Sequence, residues 1–232
     1  MVKVGVNGFG VIGRRVAYAV SKQDDMELIG IGKTSPDYKA QIGIDRGYNF
    51  YVPEDSHKEK FEKNGMKVSG SIDELIANSD VIVDATPGTL GEMYKAKYLA
   101  AGTPALFQGG ESKNIAEGSF VAQCNYEQAA GKKVVRVVSC NTTGLSRVLG
   151  SIDRDFGISS VTSVIARRAV DPDVPKGMVD SVSLDPVTIP SHHGPDVNTI
   201  LPDLNIVTMA IKIPTTHNHV HSLIIDFKDG FS

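Results

Sequence analysis

Tryptophan is absent from this 232-residue chain, cysteine occurs only twice, and aromatic residues make up just 6% of it. Two cysteines, Cys124 and Cys140, exclude a disulfide framework and point to a reducing, cytoplasmic setting. No apolar run approaches membrane-spanning length, so no membrane partner is expected. The first strand-like residues, Val2 to Val6, follow no basic and apolar leader, so no secretion signal is expected either. Basic residues do not dominate: a net charge of −3 offers no nucleic-acid surface, although local basic clusters can still bind small phosphorylated metabolites. There is no internal repeat and no low-complexity tract. With 41% hydrophobic and 22% charged residues, the chain has the composition of a soluble globular protein of one large domain or two modest ones.

The chain opens on an alternating strand pattern that runs into Asn7-Gly8-Phe9-Gly10-Val11-Ile12-Gly13, and a helical spacing continues from Arg14 to Lys22. Further strands are expected at 26–31, 80–85, 103–107 and 133–138, with a helix over 90–101, so strands and helices alternate as in a parallel sheet. Residues 45–70 are less periodic and are expected to form an excursion from that plan. Beyond Gly144 the character changes. Long strand patterns at 160–166, 206–213 and 219–227 have few helices between them, which predicts a second domain on a mainly antiparallel sheet. Residues 169–205, rich in Pro, Asp, Ser and Gly, form a long loop of the kind that is usually functional. The fold class is therefore α/β: a Rossmann dinucleotide-binding domain over 1–139, then an α+β catalytic domain over 140–232.

Gly8-Phe9-Gly10-Val11-Ile12-Gly13 matches G-x-G-x-x-G in the strand-to-helix context that gives the motif meaning. Gly8 permits the tight turn, Gly10 lets a pyrophosphate approach, Gly13 lets helix and strand pack, and the amides of Val11 and Ile12 point at the phosphates. The second strand ends at Ile31-Gly32-Lys33-Thr34-Ser35 without the acid that would hold the ribose 2′-hydroxyl of NAD. Lys33 and Thr34 could hold a 2′-phosphate instead, so NADP is expected to be accepted, and better than NAD. A merely solvated Lys33 is the alternative.

Ser139-Cys140-Asn141-Thr142-Thr143-Gly144 joins the strand at 133–138 to a helix with apolar positions 145, 148, 149 and 152. Free backbone N–H groups and the positive helix end at such a junction favour a thiolate. Asn141 and Thr142 could cap the helix or donate to an oxyanion. A small buried cysteine before an ordinary cap is the competing reading. A dinucleotide fingerprint followed by such a cysteine suggests an aldehyde dehydrogenase that works through a thioester, which needs a base, oxyanion donors and an anchor for the far end of the substrate. His217, His219 and His221 share one strand face by alternation and supply base candidates; no metal is expected there, since no carboxylate or cysteine is well placed beside them. His192 and His193 lie in the long loop beside Gly194, and Arg167-Arg168 could meet a phosphate with forked geometry.

Taken together, these segments, with Lys33-Thr34-Ser35-Pro36-Asp37, Gln108-Gly109-Gly110-Glu111, Pro190 to Asp196 and Pro214-Thr215-Thr216, resemble archaeal-type (type II) glyceraldehyde-3-phosphate dehydrogenases over essentially the whole chain. The resemblance implies phosphorylating oxidation of glyceraldehyde 3-phosphate to 1,3-bisphosphoglycerate with NADP or NAD and inorganic phosphate, in a cytoplasmic homotetramer. It implies that Cys140 is the nucleophile and His219 the base, and that Ser139, Cys140, Asn141 and Thr142 line the substrate with His192, His193 and Gly194. Val11, Ile12, Gly110 and Arg168 would contact the dinucleotide, which replaces the phosphate-anchor reading of Arg168. Family members continue beyond residue 232, so this chain is expected to lack part of the catalytic domain. The rival readings are another cysteine-thioester aldehyde or semialdehyde dehydrogenase, and an inactive dinucleotide-binding fragment.

Overall fold

Six consecutive residues, Val2–Asn7, form β1, and its last four are all buried, as in a parallel strand covered on both faces. The computed structural model describes residues 1–88, 90–108, 111–172 and 176–229. Two compact units emerge: Met1–Gly118 with Gly131–Val137, and Ser119–Ala130 with Val138–Ser232.

In the first unit, β1 is followed by α1 (Val11–Val20), β2 (Met26–Gly32), α2 (Tyr38–Asp45), β3 (Phe50–Val52), α3 (Asp55–Lys63), β4 (Gly70–Ser71), α4 (Ile72–Ala77), β5 (Val81–Asp84), α5 (Gly91–Ala101) and β6 (Ala105–Phe107). Then come β7 (Gly118–Phe120), α6 (Ala122–Ala129) of the second unit, and β8 (Val134–Val137). The sheet order is β4-β3-β2-β1-β5-β6-β8-β7, and each pairing from β4 across to β8 is parallel. Neighbouring residues of β5 show how both faces are covered. Val83 joins the cluster of Val4, Val6, Ala17 and Val20 that packs α1, whereas Ile82 joins Leu75, Ile76, Tyr94 and Tyr98 of α4 and α5. Residues 45–70 thus do not leave the plan: β3 and β4 extend the same parallel sheet. They are too short, at three and two residues, to show a period in sequence.

A polar chain crosses the second of these cores. Asn7 Nδ2 donates to Tyr98 Oη at 2.8 Å, and Tyr98 donates to Asp84 Oδ2 at 2.6 Å. Asp84 Oδ1 accepts from the Thr86 amide and hydroxyl at 2.9 and 2.6 Å. Burial pushes the Asp84 carboxyl above its ordinary value, and it pushes the Tyr98 phenol up too, helped by Asp84. Removing the hydroxyl with Tyr98→Phe leaves a buried amide and a buried carboxylate oxygen unpartnered. It is expected to lower stability by about 1–3 kcal/mol, read as a shifted denaturant midpoint at unchanged slope.

The second unit is built on α7 (Cys140–Phe156), β9 (Ile158–Arg168), β10 (Ser183–Leu184), α8 (His193–Val197), β11 (Ile206–Ile213) and β12 (Val220–Phe227). Its sheet, in the order β10-β11-β9-β12, is mixed rather than mainly antiparallel. β9 and β11, the two central strands, run parallel in register from Val161↔Ile206 to Arg168↔Ile213, while β10 and β12 pair antiparallel at the edges. The reason is the segment between β9 and β11, which contains α8 and acts as a crossover, so β11 returns in the same direction. Leu145 and Leu149 of α7 bury against Ile158, Val161 and Ile165 of β9, Val197 of α8 and Ile206 and Ala210 of β11.

Candidate active site

Helix α7 begins where a serine can stop the strand. Ser139 is extended (φ −60°, ψ 160°), and its Oγ accepts from the Thr142 amide at 3.3 Å. The N-cap is therefore Ser139, not Asn141 or Thr142, and Cys140 is the first helical residue. Its side chain is exposed at the positive end of a 17-residue helix. The next two residues are locked from behind. Thr142, fully buried, donates from Oγ1 to Asp196 Oδ2 at 3.0 Å and lies 2.9 Å from Ser139 Oγ. Asn141, also buried, accepts through Oδ1 from His221 Nε2 at 3.0 Å, which leaves its amide NH₂ as a donor.

The three histidines do not share a strand face. Asn218 adopts a left-handed conformation (φ 63°) and β12 starts only at Val220, so the alternation fails before it. His217 is exposed, with Nδ1 2.7 Å from Thr216 Oγ1. His219 sits in the bend, with Nε2 3.4 Å from Cys140 Sγ. Its Nδ1 accepts from the Arg168 amide at 3.2 Å, and Nε2 lies 2.7 Å from Arg168 Nη1. Both ring nitrogens therefore face donors. A neutral imidazole can accept at only one of them and a protonated one at neither, so proton uptake is opposed on both sides. Burial first, then the charges of Arg168 and Arg167 and the neighbouring His221, hold His219 down to about 4, with Asp171 working the other way. Burial also lowers His221.

Around this pair the charges are matched. Arg168 donates from Nε to Asp171 Oδ1 at 2.9 Å, and its Nη2 bonds the same oxygen. Arg167 pairs with Asp185 at 3.3 Å, which Lys212 also meets at 3.1 Å. His192 is exposed. His193 is 1% exposed, its ring tilted 31° against that of His192 with centroids 3.9 Å apart, and its Nδ1 lies 3.1 Å from Ser191 Oγ. Burial, then His192 and Arg167, push His193 down to about 3. Gly194 is buried, and its amide donates to Thr208 Oγ1 at 2.9 Å. Of the expected substrate residues, Cys140 and His192 are thus open to solvent, while Thr142, His193 and Gly194 face inward. Among the described residues no group of three or more His, Cys, Asp or Glu stands ready to hold a metal ion.

In the first unit the glycine fingerprint has the shape a dinucleotide needs. Gly8 has φ +100°, and a Cβ there would meet the Ala85 carbonyl at 2.5 Å. Gly13 leaves no room for a Cβ against the Gly8 carbonyl, whereas Gly10, the N-cap of α1, faces open space. Closed backs at Gly8 and Gly13 with an open front at Gly10 fit a pyrophosphate lying against the helix start. Lys33 closes β2 with its side chain only 9% exposed and Nζ 3.0 Å from Asp37 Oδ2. Thr34 is exposed. Gly110, expected to contact the cofactor, lies outside the described residues.

Comparison with known proteins agrees with this layout. A family described as "Dihydrodipicolinate reductase, N-terminus" matches residues 2–107, and "Glyceraldehyde 3-phosphate dehydrogenase, C-terminal domain" matches residues 139–232. The glyceraldehyde-3-phosphate dehydrogenase of Thermococcus kodakarensis is 54% identical over 228 residues, 98% of this chain and 67% of that protein. That of Archaeoglobus fulgidus is 50% identical over 231 residues, 99% of this chain and 68% of that one. The chain belongs to the archaeal-type glyceraldehyde-3-phosphate dehydrogenase family. Glyceraldehyde-3-phosphate dehydrogenase 2 of Methanosarcina barkeri is 52% identical over 95% of this chain and 65% of its own length. The chain thus spans about two thirds of the length of these curated relatives. The fold also matches a crystal structure of aspartate semialdehyde dehydrogenase with NADP from Candida albicans, with a TM-score of 0.71 at 14% identity, covering 100% of this chain and 73% of that one.

Several contacts around the candidate site were missed in the sequence. Asp196, 54 residues from Thr142, and His221, 80 residues from Asn141, carry no local signal for their pairings. Asp171, three residues from Arg168, and Asp37, four residues from Lys33, were missed as partners too, because neither pair lies within a helix, where such a spacing would bring side chains together.

Proposed function

We propose that this protein oxidises glyceraldehyde 3-phosphate to 1,3-bisphosphoglycerate with NADP or NAD and inorganic phosphate, as a soluble cytoplasmic homotetramer of glycolysis and gluconeogenesis. The observation that carries the reading is the exposed Cys140 at a helix start with His219 Nε2 3.4 Å from its sulfur, in a chain of this family. Residues 1–139 bind the dinucleotide and residues 140–232 carry the chemistry. Gly8, Gly10, Gly13 and the amides of Val11 and Ile12 hold the pyrophosphate, Lys33 and Thr34 the adenosine end, and Gly110 and Arg168 complete the contacts. When bound, the dinucleotide supplies the hydride acceptor.

The chain's own residues do the rest. The Cys140 thiolate adds to the aldehyde carbon, forming the C–S bond while the carbonyl electrons move to oxygen. Asn141 through its free NH₂ and the first-turn amides stabilise that oxygen, with Ser139 lining the site. His219, kept neutral by its surroundings, hands the proton of the Cys140 thiol to that oxygen, giving the hemithioacetal, and takes it back as hydride leaves. Acting through Nε2 requires its ring proton on Nδ1, which breaks the bond Nδ1 accepts from the Arg168 amide. Loss of hydride from the same carbon leaves a Cys140 thioester. A phosphate oxygen then attacks it, the C–S bond breaks, and the acyl phosphate departs as the thiolate returns. Thr142, His192, His193 and Gly194 frame the substrate, the buried ones by fixing the backbone around it.

The test is reduction of NADP in the presence of glyceraldehyde 3-phosphate and phosphate, with and without iodoacetate. Phosphate-dependent turnover that iodoacetate abolishes is expected. Turnover with a semialdehyde but not with glyceraldehyde 3-phosphate would replace the substrate. Dinucleotide binding with no turnover on either would reduce the chain to a binding fragment.

A further inference from the structure

Lys33, the residue expected to hold a 2′-phosphate, is already paired within the chain. Its Nζ makes a 3.0 Å ion pair with Asp37 Oδ2 and donates to Ser35 Oγ at 3.4 Å, so two of its three N–H groups are engaged. Ser35 Oγ in turn donates to Asp37 Oδ2 at 3.4 Å, closing a small ring of contacts at the end of β2. Asp37 has a second task. Its other oxygen, Oδ1, accepts from the Lys39 and Ala40 amides at 3.0 and 3.1 Å and caps α2. One carboxylate thus fixes the helix start with one oxygen and neutralises Lys33 with the other. Partial burial works against its charge, yet the Lys33 ammonium and the two capping amides outweigh that and hold the carboxyl below its usual range, so it is ionised at neutral pH.

A ligand reaching the end of β2 therefore meets a neutral Lys33–Asp37 pair. A 2′-phosphate gains from Lys33 and is repelled by Asp37 within the same few ångströms, whereas a 2′-hydroxyl, uncharged, is nearly indifferent to both. We infer that Asp37 sets the preference between NADP and NAD, acting through Lys33 as a positioning and neutralising residue that keeps both dinucleotides acceptable. The inference rests on the assignment of Lys33 to the adenosine end of the cofactor.

The variant that separates the two tasks of Asp37 is Asp37→Asn, because asparagine caps a helix as well as aspartate but carries no charge. The probes are adenosine 2′,5′-bisphosphate and 5′-AMP, which differ at the 2′-position and need no turnover, titrated calorimetrically at fixed ionic strength. In Asp37→Asn the bisphosphate is expected to bind about 5- to 10-fold tighter, from removal of one charge near a doubly charged group, with AMP unchanged. The ratio of KM for NAD to KM for NADP should rise by the same factor at constant kcat. Asp37→Ser, a second uncharged cap, should reproduce the change. Lys33→Ala should weaken the bisphosphate and spare AMP. If Lys33→Ala weakens the bisphosphate but neither Asp37 variant tightens it, the role of Asp37 is wrong and the Lys33 assignment stands. Bisphosphate affinity unmoved by Lys33→Ala overturns both. Equal weakening of both probes in the Asp37 variants would mean a structural role only.

Discussion

Cys140→Ser loses about 10⁴-fold or more in kcat while NADP binding is unchanged. Serine preserves the local structure, since the cap belongs to Ser139 and the first helical position tolerates a small side chain. What it removes is the sulfur nucleophile. The neighbouring base, His219, is held to about 4 and is a weak partner for a serine hydroxyl, whose deprotonation, unlike that of the hemithioacetal, is not drawn along by the departure of hydride. The usual serine–histidine solution is therefore closed to this site, and the loss should approach that of deleting a nucleophile outright. Cys124 is the internal control. Its Sγ donates to the Ser146 carbonyl at 3.2 Å, and burial, only partly offset by Arg147, pushes its thiol up. Cys124→Ser should keep near-normal turnover, and mass spectrometry after brief iodoacetate treatment should find the label on Cys140 alone. Substantial turnover in Cys140→Ser, or inactivation that follows labelling of Cys124, would remove the thioester from the mechanism.

The parts of this protein that could be read from sequence are those whose physics is local. The glycine fingerprint specifies a turn and a packing contact within six residues, and the tight positions at Gly8 and Gly13 and the open one at Gly10 fall where the spacing puts them. Helix α7 and strand β11 appear where 3.6- and 2-residue periods place them. The parallel pairing of β9 with β11 escaped because it depends on where the chain between them goes, and that chain reads only as polar loop. The histidine triplet misled for a similar reason. Alternation assumes an unbroken strand, and one residue, Asn218 at φ 63°, breaks it between His217 and His219. That bend puts His219 against Arg168 and Cys140, while His221 goes on to Asn141. The electrostatics of the site could not be read at all, because the low basicity of His219 arises from burial and from arginines about 50 residues away.

That electrostatic setting makes the second large prediction specific to this chain. His219→Ala should reduce kcat/KM by about 10²- to 10⁴-fold, the range expected for removing a general base. The effect of pH distinguishes a base from a structural residue. The active form of His219 is the neutral ring, so activity is complete above its pKa and falls as pH drops through it. With that pKa held to about 4, the acid limb of kcat/KM should lie near pH 4 and not near the ordinary histidine value of about 6.5. The fold weakens over the same range with the same sign. His193, pushed to about 3, is buried neutral, so its contribution is whole above the unfolded value of about 6.5 and lost as pH falls toward 3. Initial rates therefore need circular dichroism alongside at each pH, and only the interval where the protein stays folded counts. Arg168→Gln supplies the directional check: removing the guanidinium relieves one of the donors and charges that oppose protonation, so the acid limb should move up toward neutrality. A limb near 6.5 in the unaltered enzyme, or one that survives in His219→Ala, would assign the base to another residue.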